Sequence, residues 1–442
     1  MVHGRLPARR VVPTPVVLLV LLAAQHAHAQ ATAIRAGHVI EPATGSVADH
    51  QTILVKDGKV TAIGPNVAVP AGAQVIDLSA SWVLPGLMDA HAHITFGQQP
   101  PLRIASSYLE ESAPMRALRG LHYAQALVEA GFTTVRDAGN EANYASIDLR
   151  RAIERGWFHG PTIVTMGKII GPFGGQFAGT APDMGPYWKF EYIDADTPDE
   201  MRKAVRQNIF YGAQAIKLVC DNAAYHCTLD EVRAAVAEAH AAGLPVSVHV
   251  LGGPTPNQVD AARIVIEGGA DSIEHGFMLP DELLQMMKDR GMVLVSTDFP
   301  FAHLQAMMPA DVARVMGAAL VDRLRRALKA GVKIAFGTDV VIDLPGRTRP
   351  DMMFDYLDLW ASTGVTPAAA LKAMTTTAAE LLRVQAERGS IAVGKAADIV
   401  ATPDNPLERI SALRKIHFVM KDGAVVRRPA ATPPGPSAPA RR

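Results

Sequence analysis

The segment Gln214–Gly276 contains three short apolar runs: QAIKLVC (Gln214–Cys220), PVSVHV (Pro245–Val250) and DSIEHG (Asp271–Gly276). Helix-patterned spacers, Asp230–Ala242 and Pro256–Glu267, separate them. Runs of this kind read as strands buried on both faces, the situation of parallel strands covered by helices. Parallel neighbours need a long crossover, and each spacer can supply one. Working outward, the same alternation recurs. Further strands are expected at Trp82–Met88, Thr133–Asp137, Thr162–Met166, Val293–Ser296 and Lys333–Phe336, and further helices at Met115–Ala130, Glu200–Tyr211 and Ala310–Ala330. Eight such strand–helix units predict an α/β fold of the (β/α)8 TIM-barrel type. A doubly wound open sheet competes, but no Gly-rich phosphate loop follows the first strand.

The flanks read differently. ILVKDGKVTAIG (Ile53–Gly64) and HFVMKDGAVV (His417–Val426) each place an Asp-Gly pair between β-formers, a hairpin signal. Two like hairpins near opposite ends predict one small β module built from both, over 30–82 and 386–428, with the barrel over 83–385. Residues 1–29 have the layout of a secretory signal. Arg5, Arg9 and Arg10 precede the apolar run Val16–Ala24, and Ala27-His28-Ala29 fits a cleavage site. The expected location is therefore secreted or periplasmic, with no membrane anchor after cleavage. The Pro/Ala-rich tail 429–442 is expected to be disordered.

Composition excludes several classes. The chain has 442 residues, with 49% hydrophobic and 19% charged, which does not suit intrinsic disorder. Lys+Arg 43 against Asp+Glu 43 leaves no basic surplus for nucleic acid. Two cysteines rule out a disulfide-rich scaffold and a Cys-based zinc module. In an oxidising compartment Cys220 and Cys227 can pair or stay free; the sequence leaves both open.

Chemistry-bearing residues fall at strand ends, where barrels of this kind build active sites. His91 and His93 end the first strand, His249 the fifth, His275 the sixth and Asp339 the eighth, while Lys217 lies within the fourth. One histidine after an apolar strand is more often a packed residue than a ligand. Four at strand ends, with a carboxylate, suit a first-row metal, zinc above all. The other histidines (His38, His50, His122, His159, His240, His303 and His417) read as surface or packing residues. A charged lysine inside AIKLV costs several kcal/mol to bury, unless it is ion-paired, snorkels, or sheds its proton to become a nucleophile. Arg136, Tyr225, His226, Arg347 and Arg349 lie near strand ends and could anchor a substrate carboxylate. Phe96, Phe173, Phe177, Tyr187, Trp188, Phe299 and Phe301 could line an apolar pocket.

The chain resembles the metal-dependent amidohydrolase superfamily. The match runs through LPGLMDAHAH, GFTTVRDAG, SIEHG, GTD, GSIAVGKAADIV (Gly389–Val400) and NPL (Asn405–Leu407). The likeness is greatest to the imidazolonepropionase-related, prolidase-like branch, which includes Xaa-Pro dipeptidases and ochratoxin amidohydrolases. The resemblance implies a distorted barrel with a small β-sandwich. It also implies two divalent metal ions, with His91, His93 and Asp339 on one, His249 and His275 on the other, and Lys217 bridging both as N6-carboxylysine. Asp339 would carry the proton to the departing amine. The bridging lysine argues against a true imidazolonepropionase, whose site is usually mononuclear. Many relatives have a histidine where this chain has Gln176. The implied function is hydrolysis of an amide or peptide bond next to a carboxylate, as in a dipeptidase or carboxypeptidase, on small molecules that include N-acyl amino acids such as ochratoxin A. A homo-oligomer is expected. A lactonase or phosphotriesterase and a non-catalytic metal-binding protein are the alternatives.

Overall fold

The computed structural model describes residues 31–100, 110–139, 142–177, 180–221 and 225–428. The expected signal segment 1–29 and the expected disordered tail 429–442 lie outside them. Four strands open the described chain: β1 (Thr32–Glu41), β2 (Ser46–Lys56), β3 (Lys59–Gly64) and β4 (Gln74–Pro85). Three close it: β15 (Ile399–Thr402), β16 (Phe418–Lys421) and β17 (Ala424–Arg427). They form a single seven-stranded sheet in the order β17-β16-β15-β4-β1-β2-β3, so both chain ends build one module. Both hairpins turn at the Asp-Gly pairs. Asp57 and Gly58 have φ of 51° and 78°, and Asp422 and Gly423 have 47° and 77°. Two successive positive φ values match the right-handed twist of the flanking strands.

Ten strands lie between. They are β5 (Leu87–Ala92), β6 (Phe132–Asp137), β7 (Thr162–Thr165), β8 (Ile169–Gly171), β9 (Tyr192–Asp194), β10 (Ile216–Val219), β11 (Val246–Val250), β12 (Ser272–His275), β13 (Val293–Ser296) and β14 (Lys333–Phe336). They form two parallel sheets, β5-β6-β7 and β14-β13-β12-β11-β10-β8-β9. The expected helices are present, among them Pro198–Tyr211, Leu229–Ala241, Pro256–Gly268 and Ala310–Ala330. Thr197, Thr228 and Thr255 cap the first three of these with side-chain oxygens. Each cap satisfies a backbone N–H that the first turn leaves unpaired. No helix among the described residues is long and apolar enough to cross a membrane.

Two expectations need correction. Trp82 belongs to β4, opposite His38 and Thr402, and the first inner strand begins only at Leu87. Pro85 ends one strand and Leu87 starts the next, with only Gly86 between, so one apolar run serves two sheets. The three-residue strands β8 and β9 were not foreseen, because three residues carry no readable period. Of the two options for the cysteines, the structure has the disulfide: Cys220 and Cys227 are joined just after β10.

Alternation along the inner strands sorts the side chains. Ile216 and Leu218, Val246 and Val248, and Ile273 pack outward against helices in one apolar core. Lys217, Ser247, His249, Ser272 and Glu274 alternate with them, and all are buried. Among the described residues no ladder joins the two sheets, and single backbone bonds cross between them. Gln214 N and Ala215 N donate to Thr165 O at 2.7 and 3.3 Å, and Thr338 N and Asp339 N donate to His91 O at 3.2 and 2.7 Å. The second seam depends on Gly337. A Cβ there would lie 2.5 Å from Val295 Cγ1 and 2.8 Å from His91 Cβ. Gly337→Ala is therefore expected to cost about 1–3 kcal/mol by overpacking, read by equilibrium urea unfolding. A loss below about 0.5 kcal/mol would mean that the seam yields freely.

Candidate active site

The C-terminal ends of the inner strands converge on a cavity of about 510 Å³. His91, His93, Lys217, His249, His275 and Asp339 all line it. His275 and Asp339 reach it from left-handed backbone, with φ of 72° and 53°. Such conformations are uncommon outside glycine, and they collect at sites where surrounding structure holds them.

Asp339 is central. Its Oδ1 is 3.1 Å from His93 Nε2 and 3.7 Å from His91 Nε2, and its Oδ2 is 3.7 Å from His275 Nδ1. The ligating atoms of His91, His93 and Asp339 all fall within 4.8 Å of one another, a geometry able to hold one metal ion. The His249 and His275 rings adjoin, with centroids 4.3 Å apart.

A second layer orients the imidazoles. His91 Nδ1 is 2.6 Å from Glu274 Oε2, and both side chains are buried. That bond keeps the His91 proton on Nδ1 and leaves Nε2 with its lone pair toward Asp339. His275 Nδ1 pairs with Thr297 Oγ1 at 2.7 Å, leaving Nε2. Asp89 accepts from His91 N at 2.8 Å and from Thr338 Oγ1 at 2.6 Å. Burial, reinforced by the nearby cation Lys217, holds His249 down to about 3. Burial first and neighbouring positive groups second also hold His91 and His275 well below the usual histidine range. Neutral imidazole is the form that binds metal.

Lys217 is almost fully buried, and its Nζ has no hydrogen-bond partner. Burial lowers it to about 8, against the pull of Glu274 and Asp339. A buried ammonium without a partner is costly. The donor set fits a divalent cation: buried imidazoles, a carboxylate between them and a lysine nitrogen with no hydrogen-bond partner.

The expected carboxylate anchors lie elsewhere. Arg136 points inward from β6 but below the cavity. It is wholly buried and donates to Ala90 O, Ser247 Oγ and Glu274 Oε1. Its role is to hold Glu274, since an inward-facing cation one layer down meets protein rather than substrate. Tyr225 is half exposed and donates to Phe173 O at 2.7 Å. His226 Nδ1 pairs with Cys227 O. Arg347 is paired with Asp355 at 2.9 Å, and Arg349 with Phe96 O and Asp343. None of the five lines the cavity.

Two walls line it instead. Phe277, Phe299, Leu304, Met307, Met308 and Met316 make an apolar side. Gln176, Thr180, Tyr187, Glu191 and Tyr192 make a polar one, with Tyr192 Oη donating to Gln176 Oε1. Of the aromatics expected here, Phe96, Phe177, Tyr187 and Phe299 line the cavity, while Phe173, Trp188 and Phe301 do not. Sequence reading passed over Glu274 and Glu191. Burial raises the Glu191 carboxyl to about 8, against the opposing influence of His93. Glu274 stood in SIEHG, on the inward face with Ser272, and strand parity could have found it. Glu191 follows a single turn of helix, where no periodic signal exists.

The Amidohydrolase family model matches residues 82–426. The ochratoxinase of Aspergillus niger is 28% identical over 460 residues, spanning 95% of this chain and 91% of that protein. An imidazolonepropionase of Shewanella oneidensis is 26% identical, over 80% of this chain and 88% of its own. A Xaa-Pro dipeptidase solved with methionine in its active site superposes with a TM-score of 0.79 at 29% identity, over 90% of this chain and all of that one. With strand-end histidines, Lys217 and Asp339 meeting in one cavity, and a family match across most of its length, the chain belongs to the amidohydrolase family and is a hydrolase acting on amide and related C–N bonds.

Proposed function

We propose that the protein is a secreted, two-metal amide or peptide hydrolase built on a closed (β/α)8 barrel. Its substrates would be small molecules with a bulky apolar group, such as dipeptides or N-acyl amino acids of the ochratoxin type. One observation carries the reading: a single carboxylate, Asp339, lies within 3.7 Å of His91, His93 and His275, above a buried lysine nitrogen with no partner. Zinc suits so many imidazoles.

Divalent cations in this position would acidify a water and polarise the substrate carbonyl. The residues do the rest. His91 and His93 would hold one cation, together with Asp339. His249 and His275 would hold the other. Lys217 Nζ, adding to carbon dioxide with loss of a proton, would become N6-carboxylysine and offer an anionic oxygen to each side. Asp339 would take the proton of the attacking water and hand it to the amine nitrogen, which leaves poorly without it. Phe277, Phe299 and the methionines would seat an apolar group and exclude water. The Cys220–Cys227 bond supports export, since such bonds persist in oxidising compartments.

The following outcomes are expected. Chelation followed by dialysis should abolish amide hydrolysis, and Lys217→Ala should lower kcat/KM at least about a hundredfold, with partial rescue by acetate or propionate. Full activity in Lys217→Ala without added carboxylate would remove the lysine from the reaction. Glu274→Gln should weaken metal binding or turnover about 10–100-fold, because the His91 tautomer is no longer enforced; metal titration reads this. On a panel of N-acyl amino acids, Xaa-Pro dipeptides, lactones and phosphotriesters, aromatic N-acyl substrates should lead. Amidating their carboxylate should raise KM by less than about tenfold, because no arginine among the described residues lines the cavity. A preference for lactones or phosphotriesters would overturn the proposal.

A further inference from the structure

A second cavity lies at the other end of β14. That strand begins at Lys333, and the chain leaving its C-terminal end supplies Asp339. Lys333 and Ile334 line the second cavity, so it opens at the end of the strand away from the site described so far. Its volume is about 270 Å³, close to the lower end of small-molecule sites, roughly 300 Å³. Three helices wall it. Leu324 and Leu328 come from the helix Ala310–Ala330, Trp360 from Arg349–Thr363, and Ala369 and Ala373 from Pro367–Ala373. Trp360 is almost fully buried, and its Nε1 donates to Asp298 Oδ2 at 2.8 Å. The one polar atom of the indole is thus engaged in the core, and the ring offers the cavity carbon.

The rim carries one sign of charge. Lys333 and Lys372 line the cavity and are exposed. A Cβ placed on Gly331, another lining residue, would lie 3.7 Å from Lys288 Cε, so a third lysine stem reaches the same edge. None of the three ammonium groups has an ion pair or hydrogen bond among the described residues, and no lining residue is acidic. Elsewhere on the surface cations are matched, Arg206 with Glu238, Arg263 with Glu282 and Lys415 with Asp404. Three cations beside one apolar hollow, without an acid of the chain's own, make a local positive potential that favours an anion.

We propose that this cavity binds a small apolar carboxylate. Its ring or short chain packs against Leu324, Leu328 and Trp360, and its anionic end meets Lys333 and Lys372. A neutral apolar molecule would fill the hollow but leave the lysines unmatched. An inorganic anion would meet the lysines but leave the apolar wall in water. A molecule with both parts answers both features. The proposal stands apart from the metal reading, since none of these residues lines the first cavity.

The test uses the whole, metal-loaded chain and titrates it with 2-naphthoate in a calorimeter. A saturable site with Kd below about 1 mM is expected. The first cavity also suits apolar carboxylates on the reading above, so variants remote from it locate the binding. Ala369→Phe fills the second cavity from an exposed position and should remove that site. Lys333→Gln with Lys372→Gln should weaken it about tenfold or more. The neutral 2-naphthamide should bind the parent at least as weakly as naphthoate binds the double variant. Naphthoate binding unchanged in Ala369→Phe would place the molecule elsewhere and overturn the proposal. Equal affinity of the parent for naphthoate and naphthamide, or no binding at millimolar concentration, would overturn it too. Should Ala369→Phe fold poorly, the lysine pair, being exposed, still decides: unchanged affinity there refutes the anion site. A parent that binds no naphthoate and is a dimer, turned to monomer by Ala369→Phe, would assign this face to a second copy of the chain instead.

Discussion

A carboxylate buried beneath the cavity, Glu274, ties the site to the scaffold. One oxygen accepts a hydrogen bond from His91 Nδ1 at 2.6 Å, and the other accepts from Arg136 at 2.7 Å and from Ser272 Oγ at 2.7 Å. Ser272 Oγ in turn pairs with Ser247 Oγ at 2.7 Å, and Arg136 reaches Ser247 as well. β5, β6, β11 and β12 are thereby joined by side chains as well as by their ladders. Burial by itself would raise Glu274, but Arg136 and Lys217 outweigh it and keep the carboxyl below its usual range. An ion pair of this kind adds little stability over an apolar replacement, yet losing one partner leaves a charge stranded. Its worth is in orientation: the His91 ring cannot turn without breaking the network.

The cavity above is divided by chemistry. One half carries the four histidines, Lys217 and Asp339, and the far wall carries Phe277, Phe299, Leu304 and three methionines. Thioether and phenyl groups adapt to varied apolar shapes.

Much of the fold was legible in the residues. β11, β13 and β14 have the expected bounds, because each is one apolar run between clear breaks. The Asp-Gly turns were legible because two successive positive φ values demand such residues. Trp82 was misread, since an apolar run does not say which of two sheets it joins, and β8 and β9 were too short to show a pattern. In the site, the six residues brought to the cavity were legible as strand-end polar residues. Arg136, Tyr225, His226 and Arg347 were misplaced because being near a strand end does not specify depth or direction.

The sequence by itself determined the alternation of strand and helix, the inward parity of Lys217 and His249, and the chemistry offered at the strand ends. These are local properties, set by side-chain period and turn geometry. Only the tertiary structure decided that Arg136 serves Glu274 rather than a ligand, and that Cys220 bonds Cys227. Each of these depends on the distance between side chains on different strands or loops, and that distance is set by register and packing rather than by spacing along the chain.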